Sequence, residues 1–187
     1  MLAHDLFEIL ISGEDAHTIK ESVVKFAPDM ANRVIIHSEE RGLFDTHNIN
    51  AQISAALNKT IGLPCGGYIT IEQTEACVVI DVNTGRFTGQ RDLRETVLRT
   101  NTEAAVCIAW QLALRNLSGI IIVDFIDMER KEDKDTLLGV LSDEIKKDRI
   151  KTELMGFTEL GLAQLTRRRT REPLARVMNS VCMHCGK

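Results

Sequence analysis

Aromatic residues are scarce in this chain, with one Trp, one Tyr and six Phe among 187 residues. Proteins that hold single strands by stacking need several rings along a basic groove, and Trp110 and Phe125 make no such platform. Apolar runs are short. None approaches the roughly 20 consecutive residues of a membrane span, and residues 1–11 carry Asp5 and Glu8 where a secretory leader has a basic segment. These absences predict a soluble protein of the cytoplasm. Internal repeats and low-complexity tracts are missing, and the formal charge of −4 argues against coating nucleic acid through bulk charge. His4, His17, His37 and His47 have no partner at ligand spacing, which argues against a histidine-centred site.

What the chain does have is room for one core plus a smaller lobe. Ile19, Val23 and Phe26 space an amphipathic helix over 15–26, ended by Pro28, and 33–37 reads as a short strand. Ile49, Ile53 and Leu57 mark a second helix over 48–58 with Asn48 as N-cap. The Leu63-Pro64-Cys65-Gly66-Gly67 punctuation then places a lobe boundary, so that 1–61 form one lobe and 62–178 another. In the second lobe, 68–72 and 76–81 read as a hairpin, and Gly85 is suited to turn the chain away from the sheet. A long helix over 93–116 carries the polar Asn101 on its apolar stripe. The strand 120–124, a helix with Leu137, Leu138, Leu141 and Ile145 on one face, and strands over 151–156 and 161–167 follow. The order is that of a mixed α/β core.

Two of the strands end in an acid: Val78-Val79-Ile80-Asp81, and Ile120-Ile121-Ile122-Val123-Asp124. β-branched runs read as buried strands, and an acid at the last position sits at the mouth of a sheet. Side by side, Asp81 and Asp124 would outline a site for a hard divalent ion such as Mg²⁺, which takes one or two carboxylates plus water and phosphate oxygens. That chemistry suits phosphodiester cleavage. Asn83 lies two residues after the first acid. Asp127 is an outer-shell acid, a second ligand or the N-cap of the following helix, and Asn101 either steadies the acid-bearing loops or satisfies a core carbonyl. Residues 166–176 hold five arginines against one glutamate, a phosphate-binding run or a solvated face. Of the five cysteines, Cys65, Cys77 and Cys107 read as small core residues. Cys182 and Cys185 form a C-x-x-C, two thiolates where structural zinc needs four ligands.

The stretches Gly66-Gly67-Tyr68-Ile69-Thr70-Ile71, Thr74-Glu75-Ala76 and Ile80-Asp81-Val82-Asn83-Thr84-Gly85 closely resemble the catalytic region of the ribonuclease E/G family. So do Thr100-Asn101-Thr102-Glu103-Ala104-Ala105, Asp124-Phe125-Ile126-Asp127-Met128, Lys147-Asp148-Arg149 and Cys182-Met183-His184-Cys185-Gly186. The resemblance implies an endoribonuclease that cuts single-stranded RNA in RNA processing and decay, leaving 5′-phosphate and 3′-hydroxyl ends. It implies that Asp81 and Asp124 hold a catalytic Mg²⁺ and that Asn83 orients the scissile phosphate. It further implies that Cys182 and Cys185 give half of a Zn²⁺ site shared across a homodimer, with a tetramer left open.

By the same resemblance, 1–61 correspond to part of a ribonuclease H-like subdomain, 62–178 to a DNase I-like subdomain and 179–187 to the start of a zinc-link. The expected substrate-binding set is Asn83, Arg86, Arg149, Lys151, Arg167 and Arg169. Lys151 stands where the family often has arginine, and Lys gives a point charge instead of a bidentate fork. The family's S1 domain and 5′-sensing lobe do not fit in this chain. A fragment that binds and dimerises without cleaving is therefore the alternative expectation.

Overall fold

The structure, a computed structural model, describes residues 7–38, 41–85 and 93–178. The chain divides into two units, Met1–Ala55 and Ala56–Lys187.

In the first unit, β1 (Ile9–Ile11) pairs in parallel with β2 (Val34–Ile36), and α1 (Ala16–Phe26) connects them through a 3-10 turn, Pro28–Arg33. Ile11, Ala16 and Val34 form its small core, with Val23 packed against them. The stripe expected of α1 is only partly used, since Ile19 and Phe26 are exposed within the chain. Two short helices follow, α2 (Leu43–Thr46) and α3 (Ile49–Ala56). At their junction Asn48 takes φ +56, the left-handed corner that Asn tolerates, and not the extended geometry of an N-cap.

The second unit is built on a six-stranded sheet of order β3-β4-β5-β6-β8-β7. Its strands are β3 (Thr60–Gly62), β4 (Tyr68–Gln73), β5 (Cys77–Asn83), β6 (Gly119–Asp124), β7 (Thr152–Phe157) and β8 (Ala163–Arg167). Because β3 pairs with β4, residues 63–67 are the turn of a hairpin inside this unit. The punctuation read as a lobe boundary is a local reversal, and the chain divides several residues earlier.

Among the described strands of this sheet, β5 and β6 alone run parallel. A parallel pair needs a long crossover, here α4 (Leu93–Leu114). This helix stops in a Schellman motif: Asn116 takes φ +49, its N–H donates to the Ala113 carbonyl, and the Leu117 N–H reaches back to Leu112. The next helix, α5 (Lys131–Ile145), and a short last one, α6 (Leu174–Met178), complete the unit.

Alternation along the strands decides what faces where. Val78, Ile80 and Val82 of β5 and Ile121 and Val123 of β6 point into the core with Ala104, Ile108 and Leu112 of α4 and Leu137, Leu141 and Ile145 of α5. Burial of each Leu or Ile contributes about 1.5–3 kcal/mol. Ala104 and Ala105, both fully buried, let α4 lie close on the sheet. Val79, Asp81, Ile120 and Asp124 stand at the alternate positions and are exposed. One face is thus sealed by helices, while the other presents the acids to solvent.

Candidate metal centre

Asp81 and Asp124 are direct partners in the register of the parallel pair β5–β6. Neighbouring strands lie about 4.8 Å apart, and both residues alternate with inward-facing neighbours, so the two carboxylates rise side by side from one face. Thr70 of β4 flanks Asp81 in the next strand. Asn83 Nδ2 donates to Asp81 Oδ2 at 2.6 Å, which fixes that carboxylate, and among the described residues nothing is bonded to the second amide hydrogen or the amide oxygen of Asn83.

The loops that leave the two strands close a cleft of about 300 Å³ lined by Asp81, Asn83, Thr84, Asp124 and Asp127 among others. Asp127 therefore belongs with the acid pair. The N-cap reading does not hold, because α5 begins at Lys131 with Arg130 at its cap position.

Asn101 is fully buried and exchanges two hydrogen bonds with one residue of the β6–α5 loop. Its Nδ2 donates to the Ile126 carbonyl at 2.8 Å, and its Oδ1 accepts from the Ile126 N–H at 3.0 Å. Both readings of this residue thus merge: it satisfies buried backbone, and that backbone is the acid-bearing loop.

Neither Asp81 nor Asp124 makes an ion pair with a described residue. Two adjacent carboxylates with no cation among the described residues are a fit for a hard divalent ion. No group of three or more His, Cys, Asp or Glu is placed to hold a metal among the described residues. The donor set is instead two carboxylates with an amide beside them, which suits an ion that keeps water and phosphate oxygens in its shell.

The expected substrate-binding residues are not gathered at this cleft. In the antiparallel β6–β8 ladder Gly119 faces Arg167, and in the β7–β8 ladder Thr152 faces Arg167. Arg149, Lys151, Arg167 and Arg169 therefore lie toward the opposite end of the sheet, roughly 16 Å of strand from Asp124. Arg167 is not available to a ligand at all. Its side chain is 1% exposed, its Nη2 bonds Asp148 Oδ2 at 2.7 Å, and its Nη1 bonds the Leu117 carbonyl at 2.7 Å. Lys151 pairs with Glu153, whose carboxyl it holds below the ordinary range. Arg149 and Arg169 are exposed. Arg86, Cys182 and Cys185 lie outside the described residues.

Cys65, Cys77 and Cys107 are free and half-buried, and burial pushes the Cys107 thiol up. Reading the sequence missed Thr84 as a cleft residue and gave no role to Glu103, which reaches back to the turn before β4 at Cys65. A polar residue on an apolar stripe pointed to Asn101. Nothing local points to Glu103, because its partner is 38 residues away.

The model of the ribonuclease E/G family matches residues 1–170. The chain belongs to the ribonuclease E/G family. It is 46% identical over 167 residues to ribonuclease G of Haemophilus influenzae, covering 89% of this chain and 34% of that protein. Ribonuclease G of Escherichia coli is 41% identical over 165 residues, 88% of this chain and 34% of the relative. Ribonuclease E of Nostoc sp. is 45% identical over 150 residues, 80% of this chain and 22% of the relative. The chain thus spans about a third of the length of the ribonuclease G relatives. Its mixed sheet with flanking helices is the α/β fold expected for this region of the family. No helix among the described residues is long and apolar enough to cross a membrane.

Proposed function

We propose that this chain carries the catalytic core of a Mg²⁺-dependent endoribonuclease that hydrolyses single-stranded RNA in the cytoplasm, leaving 5′-phosphate and 3′-hydroxyl ends. The observation that carries the reading is the in-register pairing of Asp81 with Asp124 on the open face of the sheet, with Asn83 bonded to the first. Asp81 and Asp124 are the residues that hold the ion. When bound, the ion supplies Lewis-acid polarisation of the phosphate and offsets the charge that develops on its oxygens.

The chain's own residues do the positioning. Asn83, its amide already oriented by Asp81, offers its remaining N–H to a non-bridging phosphate oxygen. Asp127, which lines the same cleft, would accept a hydrogen bond from a water and orient it toward the phosphate. Arg149, Lys151 and Arg169 act away from the cleft, where they meet backbone phosphates of the same RNA farther along the sheet. Arg86 is assigned the same backbone role. Cys182 and Cys185 supply two of the four thiolates of a Zn²⁺ site completed by a second copy, which makes the assembly a homodimer.

The test is cleavage of a 5′-monophosphorylated, A/U-rich single-stranded RNA in Mg²⁺ by the parent chain and by Asp81→Asn and Asp124→Asn. Cleavage that is lost in both variants is the expected result. Cleavage that survives either substitution would overturn the assignment of the acid pair.

A further inference from the structure

The acid pair sits on two adjacent strands, β5 and β6, and the chain that follows each acid is tied to one helix. Asn101 of α4 holds the Ile126 backbone, two residues past Asp124, through its paired hydrogen bonds. On the other side, Glu103 Oε2 accepts from the Cys65 backbone N–H at 2.7 Å, and Cys65 Sγ lies 3.7 Å from Thr100 Oγ1 as a donor to it. These contacts fasten the 64–67 turn to α4.

That turn is the backstop of the loop after Asp81. A Cβ on Gly67 would stand 2.6 Å from the Asn83 carbonyl oxygen, and a Cβ on Gly85 would stand 2.4 Å from the Gly66 carbonyl oxygen. Only bare backbone fits between them, so a displacement of the turn is passed to Asn83 and from there to the carboxylate it orients. Glu103 is itself held, with Arg99 Nε donating to its other oxygen at 3.0 Å. Burial works against its charge, but the bonds from Cys65 and Arg99 outweigh burial and keep the carboxyl below the ordinary range. Neither Asn101 nor Glu103 touches an acid of the cleft.

We propose that Asn101 and Glu103 are positioning residues for the acid pair. Through them α4 sets the separation of the two loops, holding Ile126 directly and residues 83–85 by way of the 64–67 turn. The proposal rests on the reading of Asp81 and Asp124 as a metal site. Outer-shell groups of this kind typically change metal affinity by about 10–100-fold when removed.

The test uses the full chain with Mn²⁺ as a paramagnetic probe, titrated against the parent, Glu103→Ala, Glu103→Gln, Asn101→Ala and Asp81→Asn. Val140→Ala, which loosens α5 against the core without touching either loop, serves as the control for lost stability. Amide exchange over 81–85 and 124–128 is followed in the same proteins without metal. Glu103→Ala is expected to weaken Mn²⁺ binding roughly tenfold and to speed exchange over 81–85, while Glu103→Gln, which keeps an acceptor for the Cys65 N–H, recovers most of both. Asn101→Ala is expected to act over 124–128. Glu103 decides the matter if that variant does not fold, because its side chain is 22% exposed and lies outside the apolar core.

Mn²⁺ affinity in Glu103→Ala equal to the parent's, or reduced no more than in Val140→Ala at an equal loss of Tm, would overturn the proposal. Mn²⁺ binding that Asp81→Asn leaves unchanged would overturn the metal reading instead. The exchange rates then decide the bracing alone, faster rates over 81–85 in Glu103→Ala supporting it and unchanged rates rejecting it.

Discussion

At the Gly119 end of β6 a buried arginine is enclosed by Asp148, Asn116 and a backbone carbonyl, whereas at the Asp124 end two exposed carboxylates make no ion pair with a described residue. The two ends belong to one sheet and differ in how their charges are satisfied. Where the chain answers a charge internally, the charge contributes to stability and register. Where two like charges stand adjacent and open, they are the groups on which the proposed function rests. Removing a group from the first end should cost stability, and removing one from the second should cost function.

The largest expected effect breaks the first end. Arg167→Met leaves the Asp148 carboxylate and the Leu117 carbonyl without their buried partner, and urea unfolding should show a loss of about 3–5 kcal/mol. A loss under about 1 kcal/mol, the scale of an exposed pair, would mean that the two ends are not different in kind.

Next comes the acid end. Asp81→Asn and Asp124→Asn should each lower the cleavage rate at least about a hundredfold. The same variants should melt no lower than the parent, because each relieves repulsion between like charges on adjacent strands. Thermal melts alongside the rates check both halves. A Tm lowered in step with activity would make the acids structural.

Gly85→Ala sharpens the comparison by disturbing the acid end without altering a charge. With φ +66 and the Gly66 oxygen 2.4 Å from the new Cβ, backbone must shift. Overpacking of this kind typically costs about 1–3 kcal/mol, measurable by urea unfolding, and here the shift falls on the loop that presents Asn83.

A charge near the cleft that is answered internally gives a pH test. Arg94 forks onto Asp133 through two bonds of 2.7 Å and holds its carboxyl below the ordinary value. A depressed folded-state value means that the stability from this pair is complete above the ordinary carboxylate range and is lost as pH falls through the folded value. Melts followed from pH 7 down to pH 3 should show Asp133→Asn less stable than the parent at neutral pH, with the difference shrinking below the ordinary carboxylate value. The smallest effect is expected of Arg149→Ala and Arg169→Ala. Both residues are exposed, so stability should change within about 0.5 kcal/mol, while each reduces the salt slope of RNA binding by about 1 if it meets a phosphate.

Much of the second unit was legible because its signals are local. The β-branched runs in residues 76–81 and 120–124 marked two strands, and the apolar stripe of α4 singled out Asn101 as its one polar member; that the acids alternate with core-facing residues came from the structure. What failed were inferences about distance. Arg167 and Arg169 were expected among the substrate-binding residues, yet the antiparallel pairing of β8 with β6 sets Arg167 beside Gly119 and carries the run to the other end of the strands from Asp124. Residues 63–67 looked like a boundary because Pro and paired Gly interrupt any element, and the same residues serve equally well as a hairpin turn. Nothing in the sequence tells one use from the other.

The sequence by itself marked most of the strands and helices of the second unit and placed an aspartate late in each of two strands, although β5 runs on past Asp81 to Asn83, since these signals lie within a dozen residues. The tertiary structure decided that Asp81 and Asp124 meet in register, that Arg167 is enclosed while Arg169 is not, and that Asn101 and Glu103 reach loops 25 and 38 residues away. Those outcomes depend on strand order and ladder register, which are fixed by the packing of the whole unit and by no single stretch of it.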